Sequence, residues 1–189
     1  MLPERSSLAT GDEEALVRRS VAGDSEAYGR LYERHLDAIF RYIFFRVSEA
    51  ELAEELTEEV FVRAWEALPK YRKGKDPFSS WLYRIAHNLV VDHYRRRKPT
   101  VLPNEELERT ANPDGLPEEQ VAYQEEMKSL SWAIQLLDEL EQRVVILRFV
   151  DGLSHAQVSA LIGKSEAACR VIQHRALANL RRFLKDWES

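Results

Sequence analysis

The sequence predicts an all-α protein made of two small helical domains joined by a flexible acidic linker. Apolar residues recur at spacings of three and four along most of the 189-residue chain, and the alternating β-branched runs typical of strands are absent. Several of the seven prolines and seven glycines fall between these periodic segments. One proline-rich stretch, 99–119, has so few apolar residues that it cannot form a core of its own.

The first domain is expected to contain three helices. Ser25–Arg46 follows Asp24, a residue type that caps helix N-termini. The second helix, Glu51–Leu68, and the third, Ser79–Arg97, each end just before a proline, which cannot continue a helix. The helical spacing of Trp81 predicts that it is buried in the core, although its ring could instead stack on a nucleic-acid base. The side chains expected in this core are Tyr28, Leu31, Tyr32, Ile39, Tyr42, Ile43, Phe44, Leu52, Leu56, Phe61, Ala64, Trp65, Trp81, Leu82, Ile85, Ala86 and Leu89.

The second domain is expected to begin with a helix from about Glu118 to Asp138. Further helices are predicted at Leu140–Val150, His155–Ile162 and Glu166–Trp187. The sequence is therefore divided into an N-terminal extension (1–23), a first domain (24–98), the linker (99–119) and a second domain (120–189).

The strongest local pattern is a helix-turn-helix within 153–182. Gly163 suits the left-handed residue that ends a helix, and Ser165 can cap the next one. Cys169, Ile172, Ala176 and Leu180 lie on one face of the second helix, and Arg170, Val171, His174 and Arg175 lie on another. A helix-turn-helix places such a polar face in the major groove of DNA, although an ordinary surface helix with solvated basic residues is the alternative.

Charge is segregated along the chain, although the formal net charge is only −5. Seven acids and one base lie in 49–66, and nine bases and two acids lie in 70–98. Eight acids and one base follow in 99–127, and six bases and one acid lie in 164–185. Two basic blocks thus alternate with acidic ones, so the net charge does not exclude a nucleic-acid partner.

Four segments, two in each predicted domain, resemble the sigma-70 family of bacterial transcription factors. Residues 140–154 (LEQRVVILRFVDGLS) and 174–181 (HRALANLR) resemble the two ends of sigma region 4. Residues 51–61 (ELAEELTEEVF) and 78–88 (FSSWLYRIAHN) resemble sigma region 2. The segments stand in the family order, with no room between them for a middle sigma domain. The sequence therefore resembles the small extracytoplasmic-function (ECF) sigma factors.

The resemblance implies that the second helix of the first domain, Glu51–Leu68, docks on core RNA polymerase. In the family an acidic helix binds the clamp helices of the largest polymerase subunit. The matching carboxylates share one helix face, and an arginine-rich partner would relieve their mutual repulsion. A merely solvated acidic face is the alternative. The four residues are Glu51, Glu54, Glu55 and Glu58.

The resemblance also implies two promoter-reading surfaces. The third helix of the first domain, Ser79–Arg97, and the loop before it would open and read the −10 element. The helix-turn-helix would read the −35 element. Contacts with the −10 element would come from Lys73, Lys75, Arg84, His87, Asn88, Asp92, Arg95 and Arg96. Contacts with the −35 element would come from Ser165, Arg170, Val171, His174 and Arg175.

The implied partners are core RNA polymerase and promoter DNA, and family members are often controlled by an anti-sigma factor. The acidic linker could mimic nucleic acid inside the polymerase or serve as a plain tether. A cytoplasmic location is expected, because one thiol, Cys169, cannot form an internal disulfide and no apolar run is long enough to span a membrane. No catalytic group, metal or cofactor is expected, since the five histidines lack zinc spacing and no glycine-rich phosphate loop is present.

Two other classes of protein are alternatives to this interpretation. A stand-alone helix-turn-helix regulator would bind a duplex operator without polymerase, and a helical enzyme or structural protein would need a constellation of residues that the sequence lacks. The acidic helix, followed by a helix that combines aromatic and basic residues, favours the sigma factor.

Overall fold

The computed structural model describes residues 5–72, 77–96, 127 and 129–187, and the side chains of residues 12–72, 77–96, 127 and 129–185. Within these residues all regular structure is helical, which confirms the predicted fold class. The predicted linker, 99–119, and the two predicted loop contacts, Lys73 and Lys75, lie outside the described residues. The helices are α1 (Arg5–Val21), α2 (Ser25–Val47), α3 (Ala50–Ala67), α4 (Phe78–Arg96), α5 (129–135), α6 (Glu139–Val145), α7 (His155–Ile162) and α8 (Glu166–Trp187).

The first domain is a bundle of α1 to α4. The Asp24 carboxylate accepts a hydrogen bond from the Ala27 N–H at 3.0 Å, so α2 begins where the sequence predicts. The core forms where α2, α3 and α4 pack together, and each buried aliphatic side chain there contributes about 1.5–3 kcal/mol. Its best-buried aliphatic side chains are Leu31, Ile39, Ile43, Val60, Leu82 and Val90.

The N-terminal extension contains a helix that the sequence analysis did not predict. Helix α1 packs along α2 and buries Leu16, Val17 and Ser20, which lie on one side of the helix. Ion pairs from Arg34 to Asp12 (2.8 Å) and to Glu13 (3.7 Å) attach the same helix to α2. Among the side chains that the structure describes, the buried face of α1 runs only from Leu16 to Ser20, and so short a face gives a weak periodicity in the sequence.

Aromatic rings pack together where α3 is joined to α4. Tyr71 and Phe78 place their ring centroids 4.9 and 5.5 Å from the Trp81 ring. Trp81 is half-buried and packs against the hydrophobic core. The ring thus has a packing role, and part of it stays exposed to solvent.

The second domain contains the expected helix-turn-helix. Ser154 and Gln157 form a reciprocal capping box at the start of α7, and Gly163 ends this helix in the left-handed conformation (φ 69°). Helix α8 packs on α6 and α7, with Cys169 and Ala176 completely buried in the contact. Cys169 is therefore a core residue.

The helix predicted at Leu140–Val150 is not a regular α-helix over its whole length. It is α-helical to Val145 and then widens into a π turn, Ile146–Val150. The Asp151 N–H donates to the Ile146 carbonyl at 3.0 Å, a bond that spans five residues. This wider turn brings Asp151 to the surface that faces the first domain.

The two domains pack against each other. The end of α2 and the middle of α4 contact the second domain through the π turn and α7. The Ser48 and Ser131 hydroxyls form a hydrogen bond, Arg41 lies 3.7 Å from the Asp151 carboxylate, and His87 Nε2 lies 3.5 Å from Glu139 Oε1. We call these three pairs the interdomain contact.

Candidate protein-docking and nucleic-acid surfaces

The acidic side chains of α3 form one exposed surface. The buried residues of this helix, including Ala53, Leu56 and Val60, point into the bundle, so the opposite side faces solvent. None of the four carboxylates forms an ion pair with another described residue, whereas neighbouring Glu59 pairs with Arg63 at 2.6 Å. This acidic face, made of Glu51, Glu54, Glu55 and Glu58, is thus open to a cationic partner.

An apolar patch continues the acidic face toward the end of α3. Val62 and Trp65 follow Glu58 by four and seven residues and are both exposed. Trp65 was expected in the core, but 39% of it is exposed, although its ring contacts the Tyr28 ring (4.8 Å between centroids). A partner on this face would therefore meet carboxylates and apolar area together, a combination that spacing alone did not reveal.

Helix α4 presents most of its predicted promoter contacts to solvent. Arg84, Asn88, Arg95 and Arg96 are exposed along its length. Asp92 is half-buried and pairs with Arg95 at 3.1 Å, so this carboxylate orients a basic side chain. The four exposed side chains offer cations and an amide that can bind phosphates and a base edge.

His87 differs from its neighbours because the second domain covers it. Burial and the nearby Arg143 and Arg46 guanidinium groups lower the pKa of His87 to about 4, despite the opposing effect of Glu139. The imidazole is therefore neutral near pH 7 in this arrangement. His87 cannot contact DNA while the second domain remains against it.

Helix α8 exposes the predicted recognition residues. Val171 is 69% exposed, and Arg170 and His174 are exposed on the same side. The Ser165 hydroxyl accepts a hydrogen bond from the Ala168 N–H at 3.2 Å and so begins the helix. Arg170 pairs with Glu166 at 3.1 Å, an exposed contact between residues four apart that a stronger partner can replace at little cost.

Arg175 has carboxylate partners within its own domain. Its guanidinium donates to Glu141 and also contacts Asp138 at 2.7 Å, joining α8 to the start of α6. Glu141 is only 2% exposed, and it accepts further hydrogen bonds from Asn179 at 3.2 Å. Hydrogen bonding to Glu141 raises the pKa of Arg175. The DNA contact of Arg175 remains a prediction. The sequence analysis missed its contact with α6, because Asp138 and Glu141 were not recognised there as a capping pair.

The described part of the chain contains no group of three histidine, cysteine, aspartate or glutamate side chains arranged to hold a metal ion. None of its helices combines the length and apolarity needed to cross a membrane.

Comparisons with known proteins agree with this two-domain arrangement. The protein family described as Sigma-70 region 2 matches residues 31–100, and the family described as "Sigma-70, region 4" matches residues 133–182. The chain is 37% identical to the ECF RNA polymerase sigma factor BldN of Streptomyces coelicolor, over 90% of this chain and 65% of BldN. It is 32% identical to the ECF RNA polymerase sigma factor SigD of Mycobacterium tuberculosis, over 89% of this chain and 82% of SigD.

A solved structure has the same fold. CnrH, determined in complex with the cytosolic domain of CnrY, aligns with a TM-score of 0.72 at 24% identity, over 93% of this chain and 98% of CnrH. The helical bundle, the helix-turn-helix and their exposed charged faces define the class as a two-domain helical DNA-binding protein. More specifically, the chain belongs to the ECF RNA polymerase sigma factors.

Proposed function

We propose that this protein is a transcription initiation factor that binds core RNA polymerase and directs it to promoters through both domains. One observation supports the assignment best. The acidic face of α3 and the basic faces of α4 and α8 lie on three different helices, and each face is predominantly exposed. Charges of opposite sign are thus available to different partners, each on a helix whose apolar side is packed in a core.

The proposed polymerase contact is the acidic face of α3. Helix α3 packs on α2 and α4 through its apolar side, so its carboxylates cannot turn inward without breaking the core. The adjacent Val62 and Trp65 supply apolar area, which favours a protein partner over a purely ionic one. The clamp helices of the largest subunit are the proposed partner, as in the family.

The proposed promoter contacts divide between α4 and α8. In α4, Arg84, Asn88 and Arg95 would bind phosphates and base edges of the −10 element, together with Lys73 and Lys75 of the preceding loop. In α8, Arg170 and His174 flank the exposed Val171, so donors and a methyl-contacting side chain face the −35 element together.

The remaining assignments follow from family membership. We propose that an anti-sigma factor controls this protein, that residues 99–119 link domains 24–98 and 120–189, that the protein acts in the cytoplasm, and that it carries no enzymatic activity. The linker would allow each domain to reach its own promoter element.

Run-off transcription with purified core RNA polymerase tests the proposal. We expect specific transcripts only when the factor is present, and selection from a random DNA library should enrich two spaced elements. Polymerase without the factor is the control. Tight binding to one duplex operator without polymerase, and no transcripts with it, would instead identify a stand-alone regulator.

A further inference from the structure

Three side chains of the second domain form a hydrogen-bonded network inside the helix-turn-helix. The side-chain amide oxygen of Gln173 accepts a hydrogen bond from Arg148 Nε at 3.4 Å. His155 Nε2 lies 2.9 Å from the same oxygen. Arg148 belongs to the π turn, His155 is the first residue of α7, and Gln173 lies on α8, so one oxygen joins three elements. We call these three residues the Gln173 network.

The orientation of the Gln173 amide and the position of the His155 proton both follow from Arg148. A guanidinium only donates hydrogen bonds, so the atom that faces Arg148 must be the amide oxygen and not the amide nitrogen. That oxygen only accepts, so His155 must donate to it through an Nε2–H group. The network therefore consists of one acceptor and two donors, and each side chain is held in one orientation.

Arg148 also fixes the start of α7. Its Nη1 atom donates to the Leu153 carbonyl, which precedes the Ser154 cap of that helix. The Leu153 N–H donates in turn to the Leu147 carbonyl at 2.8 Å. Both polar backbone groups of Leu153 are thus bonded to the π turn. One guanidinium therefore joins the start of α7 and the side of α8 to the same turn.

Gln173 lies at the edge of the buried face of α8. It follows Cys169 by four residues and precedes Ala176 by three, and both of these residues are completely buried. Gln173 is half-buried, whereas its neighbour His174 and Arg170, three residues before it, are exposed. The network therefore holds α8 beside the residues that are proposed to contact DNA, without using them.

The network supplies a constraint that apolar packing does not. Burial of Cys169 and Ala176 holds α8 against the rest of the domain, but the hydrophobic effect has no preferred direction. Hydrogen bonds weaken steeply when they are misaligned, so a bonded side chain resists rotation of its helix about the helix axis. Base contacts need their side chains within about 0.5 Å and 10–20° of the productive position. The rotation of α8 is therefore a determinant of base reading.

We propose that Gln173 is a positioning residue for recognition of the −35 element. Its hydrogen bonds to Arg148 and His155 fix the rotation of α8 and so orient the proposed base contacts of that helix. Gln173 does not itself read a base in this role, because its amide oxygen is bonded within the domain. The inference rests on the proposed function, because the −35 contacts of α8 are assigned there.

Gln173→Met tests the proposal. Methionine is similar in size, but its thioether accepts hydrogen bonds only weakly, so Arg148 Nε and His155 Nε2 lose their shared acceptor. We expect the ratio of run-off transcription from a matched to a scrambled −35 element to fall about 3- to 10-fold, which is the effect of one lost hydrogen bond. The affinity for core polymerase, measured in parallel, should not change.

Gln173→Glu is the rescue variant. Its carboxylate keeps an acceptor in the same place for Arg148 and His155, so the ratio between the two promoters should be retained. The added negative charge should weaken transcription from both promoters alike, which leaves the ratio unaffected. A retained ratio in Gln173→Met, or an equal loss in both variants, would overturn the positioning role.

Gln142→Met is the matched control in the same domain. Gln142 is also half-buried, and its amide nitrogen donates to the Gln135 and Leu137 carbonyls at 3.2 and 3.0 Å. These bonds join α6 to the end of α5. Their loss should lower the melting temperature of the protein but leave the promoter ratio unchanged. An equal fall of the ratio in Gln142→Met and Gln173→Met would assign the effect to general destabilisation and refute the proposal.

The His155 proton gives a readout that does not depend on transcription. In nitrogen–proton NMR spectra of the free factor we expect a His155 Nε2–H signal, assigned by its disappearance in His155→Gln. The signal should persist in Gln173→Glu and be lost in Gln173→Met, because the hydrogen bond slows exchange of this proton with water. A His155 ring protonated only at Nδ1 would contradict the network. An intact network in a chain that directs no transcription would instead contradict the proposed function.

Discussion

Core RNA polymerase is expected to lose its affinity for the factor when Glu51, Glu54 and Glu55 are replaced together by lysine. Each substitution changes an attraction to a cationic partner into a repulsion, and like-charge pairs across an interface cost several kcal/mol. Since 1.4 kcal/mol corresponds to a factor of ten, three reversals should weaken binding at least about 1000-fold. Pull-down and surface-based affinity measurements with purified core polymerase provide the readout.

The fold should survive this triple substitution. All three side chains are exposed, and lysine is as good a helix former as glutamate, so only a weak favourable contact of Glu51 with the helix N-terminus is lost, about 0.3–1 kcal/mol. The matched control reverses Glu26, Glu33 and Asp37, which are exposed on α2, and it should retain core binding. Unchanged binding of the α3 variant, with a normal circular dichroism spectrum, would rule out α3 as the docking helix.

Arg170→Ala should selectively weaken recognition of the −35 element. The side chain is exposed on α8 beside Val171, and a guanidinium that hydrogen-bonds a base edge is worth about 1–3 kcal/mol. Transcription limited by −35 binding should then fall about 5- to 150-fold on the matched promoter, with little change on a promoter whose −35 element is scrambled. Measuring both promoters separates base reading from a general phosphate contact, which would weaken both alike.

The chain offers a closely matched control for this substitution. Arg30 pairs with Glu26 at 3.1 Å on α2, as Arg170 pairs with Glu166 at 3.1 Å on α8. Arg30→Ala removes the same kind of ion pair from a surface with no proposed DNA contact, so transcription should not change. Arg175→Ala should behave differently from both, because it deprives the buried Glu141 of its cation and should therefore also lower the melting temperature.

Local rules were sufficient to predict most of the helices. Asp24, Ser154 and Gly163 each act on neighbouring backbone atoms, so their capping roles could be read from residue type and spacing. The acidic face of α3 and the exposed side of α8 follow from helical periodicity, which fixes the residues that share a face. The same periodicity placed Trp65 in the core, and the structure corrects this, because 39% of the residue is exposed even though its ring contacts Tyr28.

The sequence by itself determined the all-α class, the helix-turn-helix and the segregation of charge by helix face, since each depends on residues within a few turns of one another. Only the tertiary structure decided that α1 joins the first bundle, that Glu141 binds Arg175, and that Asp151 meets Arg41. These pairs bring together residues that are distant in the chain, so periodicity and composition contain no record of them. The accessibility of α4, the helix proposed to read the −10 element, therefore depends on packing between domains and could not be predicted from α4 alone.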